Sequence, residues 1–169
     1  MPDGGLPHDL ARAFEQASGV LGVFGQPWLF VHDTTSTNDL AARHGESGEP
    51  EGLVVVAGAQ SAGRGRVGRM WASPPGAGLY VSVLLRPMRR DLGLLTLTAG
   101  VALAEGIQQA AGLDVELKWP NDLQVGSRKL GGILAEASSV AGDVRFVVLG
   151  FGINLGVAAY PPDVAARAT

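Results

Sequence analysis

Short apolar segments that follow one another with few helices between them are the strongest constraint on the fold of this 169-residue chain. Segments 28–32, 53–59 and 79–85 have the length and valine-rich composition of strands. Further strands are predicted in close succession at 115–118, 123–125, 128–129, 132–138 and 144–151. A doubly wound fold would need a helix between successive parallel strands. The pattern therefore predicts an α+β domain with a mixed, largely antiparallel sheet flanked by helices.

Three helices and two turns complete the predicted elements. The helices are expected at 10–17, 38–44 and 92–111, of which the last is the one long helix. Gly126 and the segment 141–143 are expected to form turns between strands. No internal repeat is visible.

Composition excludes several classes of protein. With 46% hydrophobic residues the chain is not disordered. The absence of cysteine excludes a disulfide scaffold and thiolate metal sites, and it agrees with a reducing, cytoplasmic environment. The longest uncharged apolar stretch, 92–104, is too short to span a membrane, and the acidic N-terminus does not resemble a secretory signal. A formal net charge of −3 argues against a general nucleic-acid-binding protein.

The segment 61–78 lacks hydrophobic periodicity and is expected to be a long structureless loop, which inside a compact domain is usually functional. Gly63, Gly65 and Gly68 form a literal G-x-G-x-x-G, but Pro74 and Pro75 prevent the helix that a dinucleotide-binding fingerprint requires. A Walker A motif is excluded as well, because arginine and methionine stand where lysine and serine or threonine are needed.

The loop combines positive charge with a glycine-rich backbone. Arg64, Arg66 and Arg69 lie within 61–75, a segment without a single acid. Guanidinium groups suit phosphate or carboxylate, and the intervening glycines allow a close backbone approach to a ligand. Trp71 could cover a planar ring or serve as a packing anchor. A mobile, solvated surface loop is the alternative interpretation.

Lysine is rare in this chain. Eleven of the thirteen basic residues are arginine, and the two lysines are Lys118 and Lys129, on a predicted strand–turn–strand unit. An ammonium group is a compact point charge that arginine does not imitate, and the functional interpretation makes Lys129 the partner of a negatively charged reacting group. An ordinary exposed hairpin lysine is the alternative. Trp119, between the two lysines, is expected in the core.

The ordered series of motifs resembles the biotin–protein ligases. The resemblance covers about residues 34 to 155 and includes the loop 63–71, the segment Lys118–Asp122 and the segment Arg128–Glu136. It is completed by Ser36-Thr37-Asn38, Gln60, Gly78-Leu79-Tyr80 and Gly150-Phe151-Gly152-Ile153-Asn154.

The resemblance implies the catalytic domain of a class II synthetase-like biotin/lipoate ligase over residues 1–155. Residues 156–169 are then expected to be a linker or truncated tail, without the family's usual C-terminal small β-barrel module. An N-terminal DNA-binding domain, and with it a repressor role, is not expected. The implied activity is ATP-dependent, Mg²⁺-assisted activation of biotin to biotinyl-5′-AMP, followed by transfer to a lysine of a biotin carboxyl carrier domain.

The same resemblance implies a role for each matching residue. Lys129 and Arg66 would be catalytic. Biotin would be bound by Ser36, Thr37, Gln60, Gly63, Arg64, Arg66 and Gly132. ATP or the adenylate would be bound by Arg69, Trp71, Asn121, Asp122, Lys129 and Asn154, with Asp122 as a ligand of Mg²⁺. Ser36 also has a structural alternative as a helix N-cap, with Asp39 three residues later.

Two other functions stay open at this stage. One is a lipoate ligase or octanoyl transferase of the same fold, although the expected cysteine thioester of the transferase has no counterpart in this chain. The other is a fragment that binds biotin without activating it. A homodimer formed through an exposed strand edge is also open, since nothing in the sequence selects or excludes it.

Overall fold

The computed structural model describes residues 7–24, 27–87, 92–156 and four positions beyond them, namely 160, 164, 166 and 168. The helices are α1 (His8–Ala17), α2 (Thr37–Glu46) and α3 (Leu95–Ala111). The strands are β1 (Trp28–Thr34), β2 (Val54–Gln60), β3 (Gly78–Leu85), β4 (Glu116–Lys118), β5 (Asp122–Val125), β6 (Arg128–Val140) and β7 (Asp143–Asn154).

The seven strands form one sheet in the order β1-β2-β3-β7-β6-β5-β4. Only β1 and β2 are parallel, and α2 is the crossover between them. Every other neighbouring pair is antiparallel. The expected α+β fold with a mixed, largely antiparallel sheet is confirmed.

The glycine pair at 131–132 lies inside a strand and does not interrupt it. The sequence suggested two separate strands, at 128–129 and 132–138, which is wrong, because β6 is continuous over thirteen residues. Gly131 is opposite Ile153, and a Cβ on Gly131 would lie 2.8 Å from the carbonyl oxygen of Gly152. Glycine is therefore what allows the two backbones to approach each other here.

Helix α2 packs on one face of the sheet through a cluster of buried residues that includes Ala41, Leu84 and Phe146. Burying such side chains removes apolar surface from water and fixes where the helix begins. Its first residues consequently lie beside Ser82 in the middle of β3, where Ser82 is fully buried. A second cluster, around Leu123, Leu130 and Ile153, packs against α3.

Trp119 is not a core residue. Its relative exposure is 74%, so the expectation from its aromatic side chain is wrong. It lies in the turn between β4 and β5, outside both clusters of buried residues described above. The described residues contain no helix that is long and apolar enough to cross a membrane.

The expected linker at 156–169 falls mostly outside the described residues. Of the four described positions beyond 156, Tyr160 and Ala168 are buried. Ala168 forms a parallel bridge to Lys129, and its carbonyl accepts a 2.7 Å hydrogen bond from Arg128 Nε. Ala168 thus packs next to the start of β6, whereas the Tyr160 hydroxyl lies 3.0 Å from Ala77 O and 3.0 Å from Asn154 Oδ1.

Candidate functional site

A cavity of about 440 Å³ opens at the end of the sheet where α2 begins. Eleven of the thirteen predicted site residues line it: Ser36, Thr37, Gln60, Arg64, Arg66, Arg69, Trp71, Asn121, Asp122, Lys129 and Gly132. They come from segments up to 96 positions apart in the chain. The fold thus brings nearly all of the predicted residues together around one space.

One end of the cavity is polar but uncharged. Ser36 occupies the N-cap position of α2 and is 2% exposed, yet its hydroxyl does not cap the helix. Gln60 Oε1 accepts hydrogen bonds from Thr37 N (2.8 Å) and Thr37 Oγ1 (3.1 Å), and Gln60 Nε2 donates to Ser73 Oγ (2.8 Å). This end has oriented hydroxyl and amide groups of the kind that bind a small uncharged polar ring.

Behind this end lies a polar network that the sequence analysis did not identify. Ser82 Oγ lies 2.8 Å from Thr37 Oγ1 and 2.6 Å from Asn38 Oδ1. Asn38 Nδ2 donates to Glu136 Oε2 at 2.6 Å. Asn38 and Ser82 are buried, so their mutual hydrogen bonds offset the cost of removing polar groups from water. Asn38 and Glu136 were part of the matched motifs, but their contact spans 98 residues and no local pattern predicts it.

The segment 61–78 (the glycine–arginine loop) is a long loop, as expected, but its backbone forms a short helical turn and internal hydrogen bonds. A 3₁₀ turn covers Arg66–Gly68, and Gly65 N donates to Arg69 O at 2.7 Å. At the base of the loop, Trp71 N donates to Gly63 O at 2.8 Å. A Cβ on Gly63 would lie 2.6 Å from the carbonyl oxygen of Trp71, which explains the need for glycine there. Gly63 closes the loop but does not line the cavity.

The three arginines of this loop have different surroundings. Arg64 Nη1 binds Asp39 Oδ1 (2.5 Å) and Arg64 Nη2 binds Glu136 Oε2 (2.8 Å). The hydrogen bonds that Arg64 donates to Glu136 and Asp39, together with the attraction of both carboxylates, raise the pKa of Arg64 against the opposing effect of burial. Arg66 and Arg69 are exposed, line the cavity and have no ion pair among the described residues. They are the loop's available cations.

Lys129 lies on β6 at the opposite wall. Its Nζ is 2.6 Å from Asp122 Oδ1 on β5 and 5.2 Å from the centroid of the Trp71 ring. The ammonium therefore has an anionic partner on one side and an aromatic face on the other, which is a favourable cation–π distance. Asn121 holds the preceding turn in place, because its Nδ2 donates to Ile133 O at 2.8 Å.

The Trp71 ring packs against the glycines of two neighbouring strands. Gly132 and Gly152 are partners in the β6–β7 register. A Cβ would lie 3.1 Å from the Trp71 ring at Gly132 and 2.4 Å from Trp71 Nε1 at Gly152. Trp71 Nε1 is buried and has no hydrogen-bond acceptor among the described residues. The indole is thus both a packing anchor and a wall of the cavity.

A second cavity of about 560 Å³ adjoins the first and is also lined by Trp71. Arg69, Trp71, Lys118, Asp122 and Lys129 line both cavities. Asn154 lines only the second one, where its Nδ2 donates to Lys129 O and its Oδ1 lies 3.0 Å from Tyr160 Oη. Lys118 and Tyr160 are further lining residues that received no role from the sequence.

The described residues contain no cluster of three or more carboxylate, histidine or cysteine side chains that could form a resident metal site. Asp122 is the one carboxylate among the described residues that line the two cavities. A single carboxylate fits Mg²⁺ that arrives on nucleotide phosphates and keeps water ligands, since Mg²⁺ commonly binds proteins in that way.

Comparison with known proteins gives consistent matches. The chain is 41% identical over 138 residues to the bifunctional ligase/repressor BirA of Bacillus subtilis, covering 79% of this chain and 42% of that protein. It is 39% identical over 146 residues to the biotin–[acetyl-CoA-carboxylase] ligase of Mycobacterium tuberculosis, covering 82% and 52%. The biotin protein ligase of Aquifex aeolicus, solved in complex with biotin and ATP, superposes with a TM-score of 0.73 at 34% identity, covering 84% and 58%.

The chain spans about half the length of the curated relatives that it matches. The model of the biotin/lipoate A/B protein ligase family matches residues 30–154, which is most of the chain and includes every residue predicted for the site. The chain belongs to the biotin/lipoate A/B protein ligase family.

Proposed function

We propose that this domain activates biotin with ATP and transfers the biotinyl group to a lysine of a biotin carboxyl carrier domain. The proposal rests mainly on one observation: the same cavity has an uncharged polar end and is also lined by the cations Arg66, Arg69 and Lys129. The names of the similar ligases, and the bound biotin and ATP in the Aquifex structure, support the choice of substrates.

In this proposal the polar end of the first cavity binds the ureido ring. Ser36 supplies a hydroxyl that is not used by the helix cap, and Thr37 and Gln60 supply groups already held in place by each other. Gly132 lets the ligand approach the strand backbone. The valerate carboxylate would then extend towards Arg66 and Lys129.

The second cavity, past Trp71, is the proposed nucleotide side. The adenine would pack on the indole, with Arg69 and Asn154 in the same cavity, while Asn121 would approach the adenylate from the first cavity. Mg²⁺ would be bound mainly by the phosphates, with Asp122 as its protein ligand. The ion would neutralise charge on the adenylyl group that is transferred to biotin.

The chemistry joins two anions, so positioning and charge neutralisation are what the residues must supply. A biotin carboxylate oxygen attacks the α-phosphorus of ATP, the bond to the bridging oxygen breaks and pyrophosphate leaves. Arg66 and Lys129 would stabilise the charge on the transferring group. The carrier amine, having lost a proton, then attacks the acyl carbon, and AMP leaves with the electrons of the acyl–oxygen bond.

The experiment is incubation of the 169-residue chain with biotin, MgATP and a biotin carboxyl carrier domain. Pyrophosphate release dependent on biotin, and a carrier whose mass increases by one biotinyl group, are expected. Lys129→Ala should lose most of both signals, whereas Arg145→Ala should retain them, because it breaks an exposed ion pair with Glu46 and neither residue lines the two cavities.

Other results of this experiment would contradict the proposal in different ways. Modification of the carrier by lipoate but not by biotin would assign the lipoate branch of the family. Biotin binding by calorimetry without pyrophosphate release would show that these residues bind the vitamin without activating it. Activity without added Mg²⁺ in the presence of a chelator would contradict the assignment of Asp122.

Three wider statements belong to the same proposal. The ligase would act in the cytoplasm, in accordance with the lack of cysteine. Residues 1–155 would form the catalytic unit, and no contact with DNA is required for the reaction. A homodimer would be detected by light scattering, and nothing in the proposed chemistry depends on one.

A further inference from the structure

Glu136 lies where three parts of the molecule meet, although the proposed chemistry has no need of a carboxylate there. It is on β6, and its Oε2 accepts hydrogen bonds from Asn38 Nδ2 at 2.6 Å and Arg64 Nη2 at 2.8 Å. Asn38 is the second residue of α2, and Arg64 lies in the glycine–arginine loop, before its 3₁₀ turn. One oxygen thus connects the sheet, the helix and the loop.

A second carboxylate holds the other side of the same guanidinium. Asp39 Oδ1 accepts from Arg64 Nη1, so Arg64 is bound by α2 and by β6 at once. Two separate carboxylates on one guanidinium fix its position better than a single exposed pair, which alone contributes little.

This arrangement divides the work of the three loop arginines. The charge of Arg64 is compensated within the protein, whereas Arg66 and Arg69 have no ion pair among the described residues and line the cavity. An isolated antiparallel β-bridge pairs Arg64 with Met70 across the glycine–arginine loop. Because Arg66 and Arg69 lie between these two residues in the chain, holding Arg64 in place also limits their movement.

We propose that Glu136, with Asp39, is a positioning residue that fastens Arg64 and so holds the loop against the beginning of α2. Arg64 is then a structural anchor and not a contact of the substrate, contrary to the role implied by the family resemblance. The inference rests on the proposed function only for the identity of the ligand. The attachment of Arg64 to Glu136 and Asp39 does not depend on that function.

The first test needs no ligand. Trypsin cleaves after arginine, so the bonds following Arg66 and Arg69 report how often the loop opens. We expect cleavage about three- to tenfold faster in Glu136→Gln and in Arg64→Gln than in the wild type, because a charged hydrogen bond is lost. Glu46→Gln, which loses the comparably exposed ion pair with Arg145, should match the wild type.

The second test uses the reaction. In single-turnover adenylation, the biotin concentration at half-maximal rate should rise about three- to tenfold in Glu136→Gln, while the maximal rate stays within about twofold. The double variant Glu136→Gln/Arg64→Gln should be no worse than the poorer single variant, since both remove the same contact. A general loss of stability would instead lower the amount of folded protein without this pattern.

Cleavage at the wild-type rate in both single variants would overturn the proposal, and so would fully additive effects in the double variant. Arg64 is in an exposed loop, where substitution should not prevent folding. Arg64→Gln therefore tests the proposal even when Glu136→Gln folds poorly. Absence of biotin-dependent pyrophosphate release in the wild type would refute the proposed function alone, because the trypsin result is independent of it.

Discussion

The backbone of Gly152 lies against the indole of Trp71, so closely that a Cβ on Gly152 would be 2.4 Å from Trp71 Nε1 and 2.6 Å from Trp71 Cε2. Gly152→Ala must therefore displace the indole from the wall between the two cavities. We expect a loss of about 1–3 kcal/mol in unfolding free energy, as for other overpacked sites, and a raised KM for ATP. Urea unfolding followed by tryptophan fluorescence, and steady-state kinetics, measure the two effects.

Gly106→Ala is the matched control for this substitution. Gly106 is in α3, and a Cβ on it would meet no atom within 4 Å. Alanine there should stabilise the protein by about 0.5–1 kcal/mol through helix propensity, with unchanged kinetics. Equal stability losses for the two variants would contradict the close contact with Trp71.

Arg66→Ala should speed the dissociation of biotinyl-5′-AMP about 10- to 100-fold, the effect of losing a hydrogen bond to a charged group worth about 1.5–3 kcal/mol. Thermal stability should stay unchanged, since Arg66 has no ion pair to lose among the described residues. Stopped-flow or filter binding gives the dissociation rate. Arg43→Ala, an exposed position on α2, is the control and should behave as the wild type.

Lys129→Arg keeps the positive charge but replaces a compact ammonium by a planar fork, between Asp122 and the face of Trp71. We expect adenylation slower by about tenfold or more, with little change in stability. Rapid-quench measurement of adenylate formation checks this. A wild-type rate would show that Lys129 is an ordinary hairpin lysine.

The two tyrosines of the chain should resist ionisation in the folded protein. Burial, with a smaller contribution from neighbouring Tyr160, raises the pKa of Tyr80, and burial raises the pKa of Tyr160. A raised folded-state pKa means that the stabilisation is complete below the unfolded value of about 10 and is lost as the pH rises above it. Absorbance at 295 nm should show no ionisation near pH 10 in the folded state.

The same shifts predict that the unfolding free energy falls as the pH rises above about 10. Tyr80→Phe should reduce the slope of this fall, since one shifted phenol is gone. Denaturant titrations at several alkaline pH values measure the slope. A fall of equal steepness in Tyr80→Phe would locate the alkaline sensitivity elsewhere.

Much of the fold could be predicted because strands and the long helix leave local periodic patterns. Every predicted strand segment lies within or overlaps an observed strand, and the errors occur where glycine was interpreted as a break, as at Gly131. The glycine is tolerated within β6 because it pairs with β7, a partner some twenty residues later in the chain. A local pattern contains no information on such a partner.

The site residues were predicted from motifs, whereas contacts between residues far apart in the sequence were not predicted, because a local pattern contains no information on them. Residue types identified Arg64 as a cation but not its two carboxylate partners, which lie 25 and 72 residues away. The contact between Asn38 and Ser82 was not predicted for the same reason. Trp119 was expected in the core because it is aromatic, whereas its place in a turn leaves it exposed.

The wall that the two cavities have in common also bears on energetics. Because Trp71, Asp122 and Lys129 line both cavities, a ligand in one cavity would contact side chains that also face a ligand in the other. Thermodynamic reciprocity then requires that the vitamin alter nucleotide affinity by the same factor as the nucleotide alters vitamin affinity. Titrating each ligand in the presence and absence of its counterpart should return one coupling constant from both directions.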